Sequence, residues 1–177
     1  SESFNYDGLE NQMEGKHRPG HFDGVGTIVK RLFEIVQPNK AYFGEKDFQQ
    51  LQIVKKLVSK YNIPVDVIGC PIHREANGLA MSSRNERLSE SAREKAAIIY
   101  QILNSAKEIF QTNSAEQTIK FVENEFKKHP EFELEYFEIA DEATLLPVSE
   151  KESEKKYRGF IAIFIENIRL IDNISLN

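Results

Sequence analysis

Two short segments contain most of the side chains in this chain that could do chemistry. Residues 44–50 read Gly-Glu-Lys-Asp-Phe-Gln-Gln, and residues 78–85 read Gly-Leu-Ala-Met-Ser-Ser-Arg-Asn. The first segment places a cation, a carboxylate and an amide directly after a short apolar run. The second offers two hydroxyls and a guanidinium in a polar stretch. Groups of these kinds bind phosphate and carboxylate oxygens, so we expect both segments to belong to an enzyme that uses ATP.

The first segment follows a predicted strand, and parallel α/β sheets bind ligands at the carboxyl ends of their strands. Gly44 would let a ligand approach the backbone closely. Lys46 could reach a phosphate or a substrate carboxylate, and Asp47 could accept from ribose hydroxyls. Gln50 lies one helical turn after Lys46 and could bind a small polar substrate. On spacing alone, Lys46 and Asp47 could also be ordinary solvated charges at a helix start.

The second segment has the composition of a phosphate-binding loop. Gly78 gives the backbone freedom, and Ser82 and Ser83 offer hydroxyls and N–H groups. Arg84 supplies a planar fork suited to bidentate phosphate contact. Such a loop between two domains could close on a triphosphate and stabilise charge on departing pyrophosphate. A polar linker without that role stays open, because Ser-Ser-Arg-Asn alone is a common sequence.

Apolar periodicity predicts an α/β first half and an α+β second half. In the first half we expect helices over 24–36 and 46–61 and strands over 41–44 and 64–69. Alternating helices and strands predict parallel pairing with right-handed crossovers. In the second half we expect helices over 89–110 and 114–128 and strands over 132–139, 160–165 and 168–173. Ser89 is the expected N-cap of the first of these helices.

The order of these elements predicts two domains. Two strands are too few for a stable open sheet, and residues 1–23 lack the periodicity that would supply more. We therefore expect residues 1–72 to be the tail of a larger α/β domain with an incomplete sheet. Residues 73–88 would form an interdomain phosphate-binding loop, and residues 89–177 a small α+β domain.

Composition narrows the possible partners and the compartment. The net charge of −5 and the lack of a Lys/Arg cluster argue against a nucleic-acid partner. The single cysteine, Cys70, excludes an internal disulfide and suits a reducing compartment. No apolar run approaches the roughly 20 residues of a membrane span, so we expect a cytoplasmic protein without a membrane partner. His17 and His21 have the spacing of a zinc pair, but Pro19 and Gly20 between them prevent an aligning helix, so we expect no metal site.

Four stretches of the chain strongly resemble the pantothenate synthetase (pantoate–β-alanine ligase) family: residues 18–22, 43–50, 78–85 and 169–173. The resemblance implies the C-terminal part of a Rossmann-like nucleotidyltransferase domain, followed by a small α+β domain, in a homodimer. It implies an enzyme that activates pantoate with ATP and Mg2+ as pantoyl adenylate. The amine of β-alanine then attacks this intermediate to give pantothenate, a coenzyme A precursor, and AMP.

The resemblance also implies roles for individual residues. Lys46 and Arg84 would be catalytic, with Lys46 between the α-phosphate and the pantoate carboxylate. Gln50 would bind pantoate, and His73 would contact the adenine through its backbone. The segment 81–84 would hold the phosphates, like the Lys-Met-Ser-Lys-Ser loop of class I aminoacyl-tRNA synthetases. The full set implied to bind ATP is Gly44, Glu45, Lys46, Asp47, His73, Met81, Ser82, Ser83 and Arg84.

One family signature does not occur in this sequence. The family's His-x-Gly-His segment stabilises the transition state of adenylation, and no such segment is present among the 177 residues. We therefore expect the C-terminal three-fifths of the enzyme, inactive by itself. Two other functions stay open: part of a class I aminoacyl-tRNA synthetase-like adenylating enzyme, which would need a basic surface, and a non-catalytic binding or dimerisation module.

Overall fold

The structure is a computed structural model that describes residues 2–177. The chain divides into two compact units, Ser1–Pro71 and Ile72–Asn177. The first unit contains α1 (Glu14–His17), α2 (His21–Val36), β1 (Lys40–Gly44), α3 (Phe48–Lys60) and β2 (Asp66–Cys70). The second contains α4 (Glu90–Lys95), α5 (Ile98–Thr112), α6 (Ala115–Phe126), β3 (Phe132–Asp141), β4 (Tyr157–Ile165) and β5 (Ile168–Ser175). Across residues 2–177, none of the helices has the length and apolar character needed to cross a membrane.

The first unit is built on a parallel pair of strands. Ala41 of β1 lies opposite Val67 of β2, and Gly44 lies opposite Cys70. Parallel neighbours need a long crossover, which α3 provides. Apolar side chains of α2, α3 and the strands bury Phe33, Val54 and Val65 between them. The parallel α/β arrangement expected for this half is confirmed, and the pairing brings the carboxyl ends of both strands to one edge.

Residues 2–20 are ordered by side-chain packing, although they lack periodicity. They contain a 3₁₀ turn at Leu9–Asn11 and the single turn of α1. Tyr6 is 1% exposed, and its hydroxyl donates to the carbonyl of Phe22 over 3.0 Å. A Cβ on Gly26 would overlap that hydroxyl, so the glycine allows Tyr6 to reach α2. Helix α2 begins at His21 rather than at the expected residue 24, because Gly20 (φ 76°) turns the chain directly before it.

The second unit packs α5 and α6 against an antiparallel sheet of order β3-β4-β5. Its core includes Leu103 of α5, Val122 of α6 and Ile163 of β4, none of which is exposed. The expected cap at Ser89 is present, and Ser114 caps α6. The Ser89 hydroxyl accepts from the N–H of Ala92 over 3.1 Å, and Ser114 forms a reciprocal capping box with Gln117.

Strand β3 does not keep a single alternating face. Its pairing with β4 shifts between Leu134 and Tyr136, which leaves Glu135 as an extra residue in β3. The shift moves Phe137 and Ile139 onto the face where Phe132 and Leu134 meet the core. Strict alternation would have placed the two pairs on opposite faces. Glu135 accepts from the guanidinium of Arg169 over 2.6 Å.

The helix expected over 89–110 is wrong as a single element. It is two helices, α4 and α5, joined at Ala96 and Ala97. Backbone bonds tighten there to the i→i−3 type, from Ala97 to Glu94 and from Ile99 to Ala96. Apolar side chains continue to face the core across the joint, with Ala92, Ala96 and Ile99 all buried. The hydrophobic pattern of the sequence therefore gave no sign of the break between α4 and α5.

Candidate functional site

Segment 44–50 lies at the carboxyl end of β1, as expected from the sequence. Glu45–Asp47 form a 3₁₀ turn, and α3 starts at Phe48. Lys46 and Gln50 are half-buried, and Asp47 is exposed. Asp47 occupies the N-cap position of α3, but no described backbone N–H donates to its carboxylate as a cap. A structural capping role therefore does not account for this acid.

Two glycines lie at this sheet edge, and their surroundings differ. Gly44 has φ −70°, which any residue adopts, and an added Cβ would meet no described atom within 4 Å. The fold itself therefore does not require a glycine at position 44. Gly69 of β2 is different, because a Cβ there would approach Leu51 Cδ2 at 2.9 Å and Glu45 Oε1 at 3.2 Å. The Glu45 carboxylate thus lies against the backbone of β2.

Gln49 has a structural role that was not predicted from the sequence. This side chain is 5% exposed, and its amide nitrogen donates to the carbonyls of Leu9 (2.9 Å) and Gln12 (2.8 Å). Its oxygen accepts from the N–H of Glu14 over 3.1 Å. Gln49 therefore ties residues 9–14 to α3. Its position four residues before the fully buried Ile53 was the available signal.

In the second unit, residues 73–81 form a tight hairpin before the Ser-Ser-Arg segment. Arg74 and Ala80 form an antiparallel bridge, and the N–H of Met81 donates to the carbonyl of His73 over 2.9 Å. Gly78 has φ 94°, and an added Cβ would approach Tyr100 Cδ1 at 2.6 Å. Gly78 is therefore needed for a defined turn and for the close approach of Tyr100, and not for the loop freedom expected from the sequence.

Arg74 fastens this hairpin to the rest of the second unit. Its guanidinium makes a bidentate pair with Asp172 of β5, over 2.6 and 2.9 Å, and donates to the carbonyl of Gly78 over 3.0 Å. It also stacks on the Tyr100 ring of α5, 3.7 Å from the ring centre. The Asp172 side chain is only 4% exposed, so this pair is shielded from water. Neither residue was among the expected site residues.

The Ser-Ser-Arg segment presents its polar groups outward from a 3₁₀ turn, Ser83–Arg87. The Ser82 hydroxyl accepts from the N–H of Arg84 over 3.1 Å, which leaves its own proton available for donation. Ser83 and Arg84 are exposed, and Met81 is 47% exposed. The arrangement can donate hydrogen bonds to an anion from a hydroxyl pair and a guanidinium.

Glu75 of the hairpin forms an ion pair with Arg93 of α4. Both Nε and Nη2 of Arg93 lie 2.9 Å from its carboxylate oxygens. The hydrogen bond from Arg93 holds the pKa of Glu75 below its usual value of 4.5. A carboxylate with a lowered pKa stabilises the folded state above pH 4.5, and this stabilisation disappears as the pH falls through the lowered value.

The model of the Pantoate-beta-alanine ligase family matches residues 2–175. The chain belongs to the pantoate–β-alanine ligase family. It is 65% identical to the pantothenate synthetase of Flavobacterium psychrophilum and 58% identical to that of Christiangramia forsetii. These matches cover 99% and 100% of this chain, which spans 62% of the length of each relative. Family membership decides against an aminoacyl-tRNA synthetase.

Solved structures of the ligase family have the same fold. The crystal structure of pantothenate synthetase from Thermus thermophilus superposes with a TM-score of 0.89 and 41% identity, over 99% of this chain and 63% of that one. A ligase from Francisella tularensis, in complex with beta-gamma ATP and beta-alanine, superposes with a TM-score of 0.69 and 32% identity, over 99% and 57%. The expected fold class, a nucleotidyltransferase-like domain followed by a small α+β domain, is confirmed.

The two adjacent glutamines give a matched test of the tether at the first segment. Gln49→Leu should lower the free energy of unfolding by about 2–4 kcal/mol, because it removes three hydrogen bonds, to the carbonyls of Leu9 and Gln12 and from the N–H of Glu14. Gln50→Leu, one position along the same helix, should change it by less than about 1 kcal/mol. Urea unfolding followed by circular dichroism measures both values. Equal effects of the two changes would contradict the tether assigned to Gln49.

The ion pair at the hairpin predicts a pH dependence. Glu75→Gln should be less stable than the wild type at pH 7, because it loses the charged partner of Arg93. The difference should shrink as the pH falls below 4.5 and vanish below the lowered pKa of Glu75. Urea midpoints measured between about pH 3 and pH 7 follow this change, with the exposed Glu90→Gln as the control. A difference that stays constant with pH would rule out the ionic contribution.

Proposed function

We propose that this chain belongs to an enzyme that joins pantoate and β-alanine with ATP. The observation that carries the proposal is the ligase-family match over residues 2–175, with segment 44–50 at the carboxyl edge of a parallel strand pair. The complex of the Francisella tularensis ligase with beta-gamma ATP and beta-alanine supports the same substrates for this chain.

The proposed reaction has two steps. The pantoate carboxylate attacks the α-phosphorus of ATP, and pyrophosphate departs to leave pantoyl adenylate. The neutral amine of β-alanine then attacks the acyl carbon, the nitrogen loses a proton to water, the amide bond forms, and AMP departs with the bonding electron pair. Because both reactants of the first step are anions, a fixed positive charge beside them lowers its barrier.

Lys46 is the proposed source of that charge in the first unit. The side chain is half-buried at the strand end, where a charge interacts more strongly than in open water. Gly44, Glu45 and Asp47 are proposed to contact ATP with it. The carboxylate of Asp47 is exposed and makes no capping hydrogen bond to α3, so it is suited to accept hydrogen bonds from ribose hydroxyls. Gln50 is proposed to bind pantoate, since Gln49 is committed to the tether.

The second unit is proposed to contribute the phosphate-binding residues. Ser82, Ser83 and Arg84 suit this role because their hydroxyls and guanidinium face outward from a turn of fixed conformation. Arg84 would stabilise charge on the phosphates during catalysis. Exposed Met81 would lie beside them. His73 is proposed to contact the adenine through its backbone.

Mg2+ is proposed to arrive bound to ATP. Within residues 2–177, no three side chains of His, Cys, Asp or Glu converge to hold a metal ion. Magnesium usually keeps several waters and binds substrate phosphates with few protein ligands, so MgATP fits this chain.

A homodimer and a cytoplasmic location are part of the same proposal. The exposed apolar side chains of α2, including Ile28, Leu32 and Ile35, support an association surface.

The proposed activity is tested by pyrophosphate release with pantoate, β-alanine and MgATP. The full-length gene product should release pyrophosphate only when pantoate is present and should form pantothenate when β-alanine is added. The 177 residues by themselves should not turn over, since they lack the His-x-Gly-His segment. Pantothenate formation by these residues alone at the full-length rate would refute that part. If the full-length protein forms no pantothenate, the proposed reaction is refuted.

The role of Lys46 is tested by Lys46→Ala in the full-length product. The rate of pyrophosphate release should fall by roughly 10²–10³-fold, the loss typical of removing one stabilising group from a transition state. The exposed Lys55→Ala on α3 serves as the matched control and should keep the wild-type rate. A rate within about twofold of the wild type for Lys46→Ala would exclude the proposed role.

A further inference from the structure

Asn85 is buried at the point where the Ser-Ser-Arg segment meets the hairpin before it. The side chain is 2% exposed, although its neighbours Arg84 and Glu86 are exposed. Its amide nitrogen donates to Glu75 Oε1 over 2.8 Å and to the carbonyl of Ala80 over 3.0 Å. Both amide hydrogens therefore cross-link the 3₁₀ turn to the two arms of the hairpin.

The backbone of Asn85 closes the same turn. Its N–H donates to the carbonyl of Ser82 over 3.0 Å, and its carbonyl accepts from the N–H of Leu88 over 3.2 Å. Position 85 thus joins the start and end of the segment that carries Ser83 and Arg84. The segment cannot shift against the hairpin without breaking the two side-chain bonds of Asn85.

Glu75, the partner of Asn85, is itself fixed from the other side. Arg93 of α4 makes its bidentate pair with the same carboxylate, so the contact sequence runs from α4 through Arg93 and Glu75 to Asn85. The Arg74–Asp172 pair anchors the same hairpin to β5. The turn is therefore attached to elements of the core by directed polar bonds.

The burial of Asn85 is unfavourable apart from these bonds. Its Oδ1 atom is buried and has no hydrogen-bond partner among the described residues. A buried acceptor without a partner destabilises a fold, and a small apolar side chain would avoid that cost. Asparagine at position 85 therefore contributes by fixing the position of the turn against the hairpin.

We propose that Asn85 is a positioning residue that orients Ser82, Ser83 and Arg84 toward the phosphates through its bond to Glu75. This inference rests on the proposed phosphate-binding role of those three residues. Without the amide hydrogens, the turn keeps its backbone closure but loses its orientation against the hairpin. A misplacement of about 1 Å at such groups lowers catalytic rates by as much as about 100-fold.

Asn85→Asp in the full-length gene product tests the proposal, because the new carboxylate cannot donate and repels Glu75. Amide hydrogen exchange at residues 81–87 should accelerate about tenfold or more, with exchange in β3–β5 unchanged. The double variant Asn85→Asp/Glu75→Gln should return exchange toward the wild type, since the glutamine can donate to the new acceptor. Gln111→Glu, which removes an amide donor to the carbonyl of Leu176 away from the hairpin, should leave residues 81–87 unaffected.

Kinetics separate a positioning role from a structural one. In Asn85→Asp, kcat for pyrophosphate release should fall roughly 10- to 100-fold, with the KM for pantoate unchanged and partial recovery in the double variant. Unchanged exchange at 81–87, or a uniform rise across the second unit, would overturn the proposal. So would wild-type kcat in Asn85→Asp. If the wild type itself releases no pyrophosphate, the proposed function fails, while the exchange data still decide whether Asn85 orients the turn.

Discussion

Parallel pairing of β1 with β2 is the constraint on which the first candidate segment depends. Two parallel neighbours must be joined by a crossover, so the chain has to leave the carboxyl end of β1, pass through α3 and return. The residues that begin this crossover are those of segment 44–50. The direction of the strands therefore places segment 44–50 at the sheet edge, and no further contact is needed to bring its polar side chains there.

The second segment is placed by a different kind of force. It lies in no long helix or strand, and polar contacts hold it to the elements around it. Arg74 reaches β5 and α5 through Asp172 and Tyr100, and Glu75 reaches α4 through Arg93. Directed ion pairs of this type specify one orientation, whereas apolar packing alone tolerates several. A turn with the proposed task of presenting a guanidinium to phosphates benefits from such a specified orientation.

Each candidate segment therefore combines exposed groups with buried polar neighbours. Gln50 is half-buried beside the buried Gln49, and Arg84 is exposed beside the buried Asn85. In both pairs the buried amide bonds to backbone or side chains of the fold. The buried residue thereby fixes the backbone position of its more exposed neighbour. In each short segment, one residue is bonded to the fold while its neighbour stays accessible to solvent.

The sequence by itself determined the element types, the parallel α/β first half, the serine cap at Ser89 and the ligase-family resemblance. These follow from local periodicity, capping chemistry and short motifs, all of which are written in neighbouring residues. It did not reveal the break at Ala96, because buried residues continue across it, or the bulge at Glu135, which depends on pairing with β4. Only the tertiary structure decided that Gln49 and Asn85 are tethers and that Arg74 pairs with Asp172, 98 positions away. The bonds of Gln49 and the Arg74–Asp172 pair join residues far apart in the chain, and those of Asn85 depend on the hairpin lying against the turn, so no local pattern encodes them.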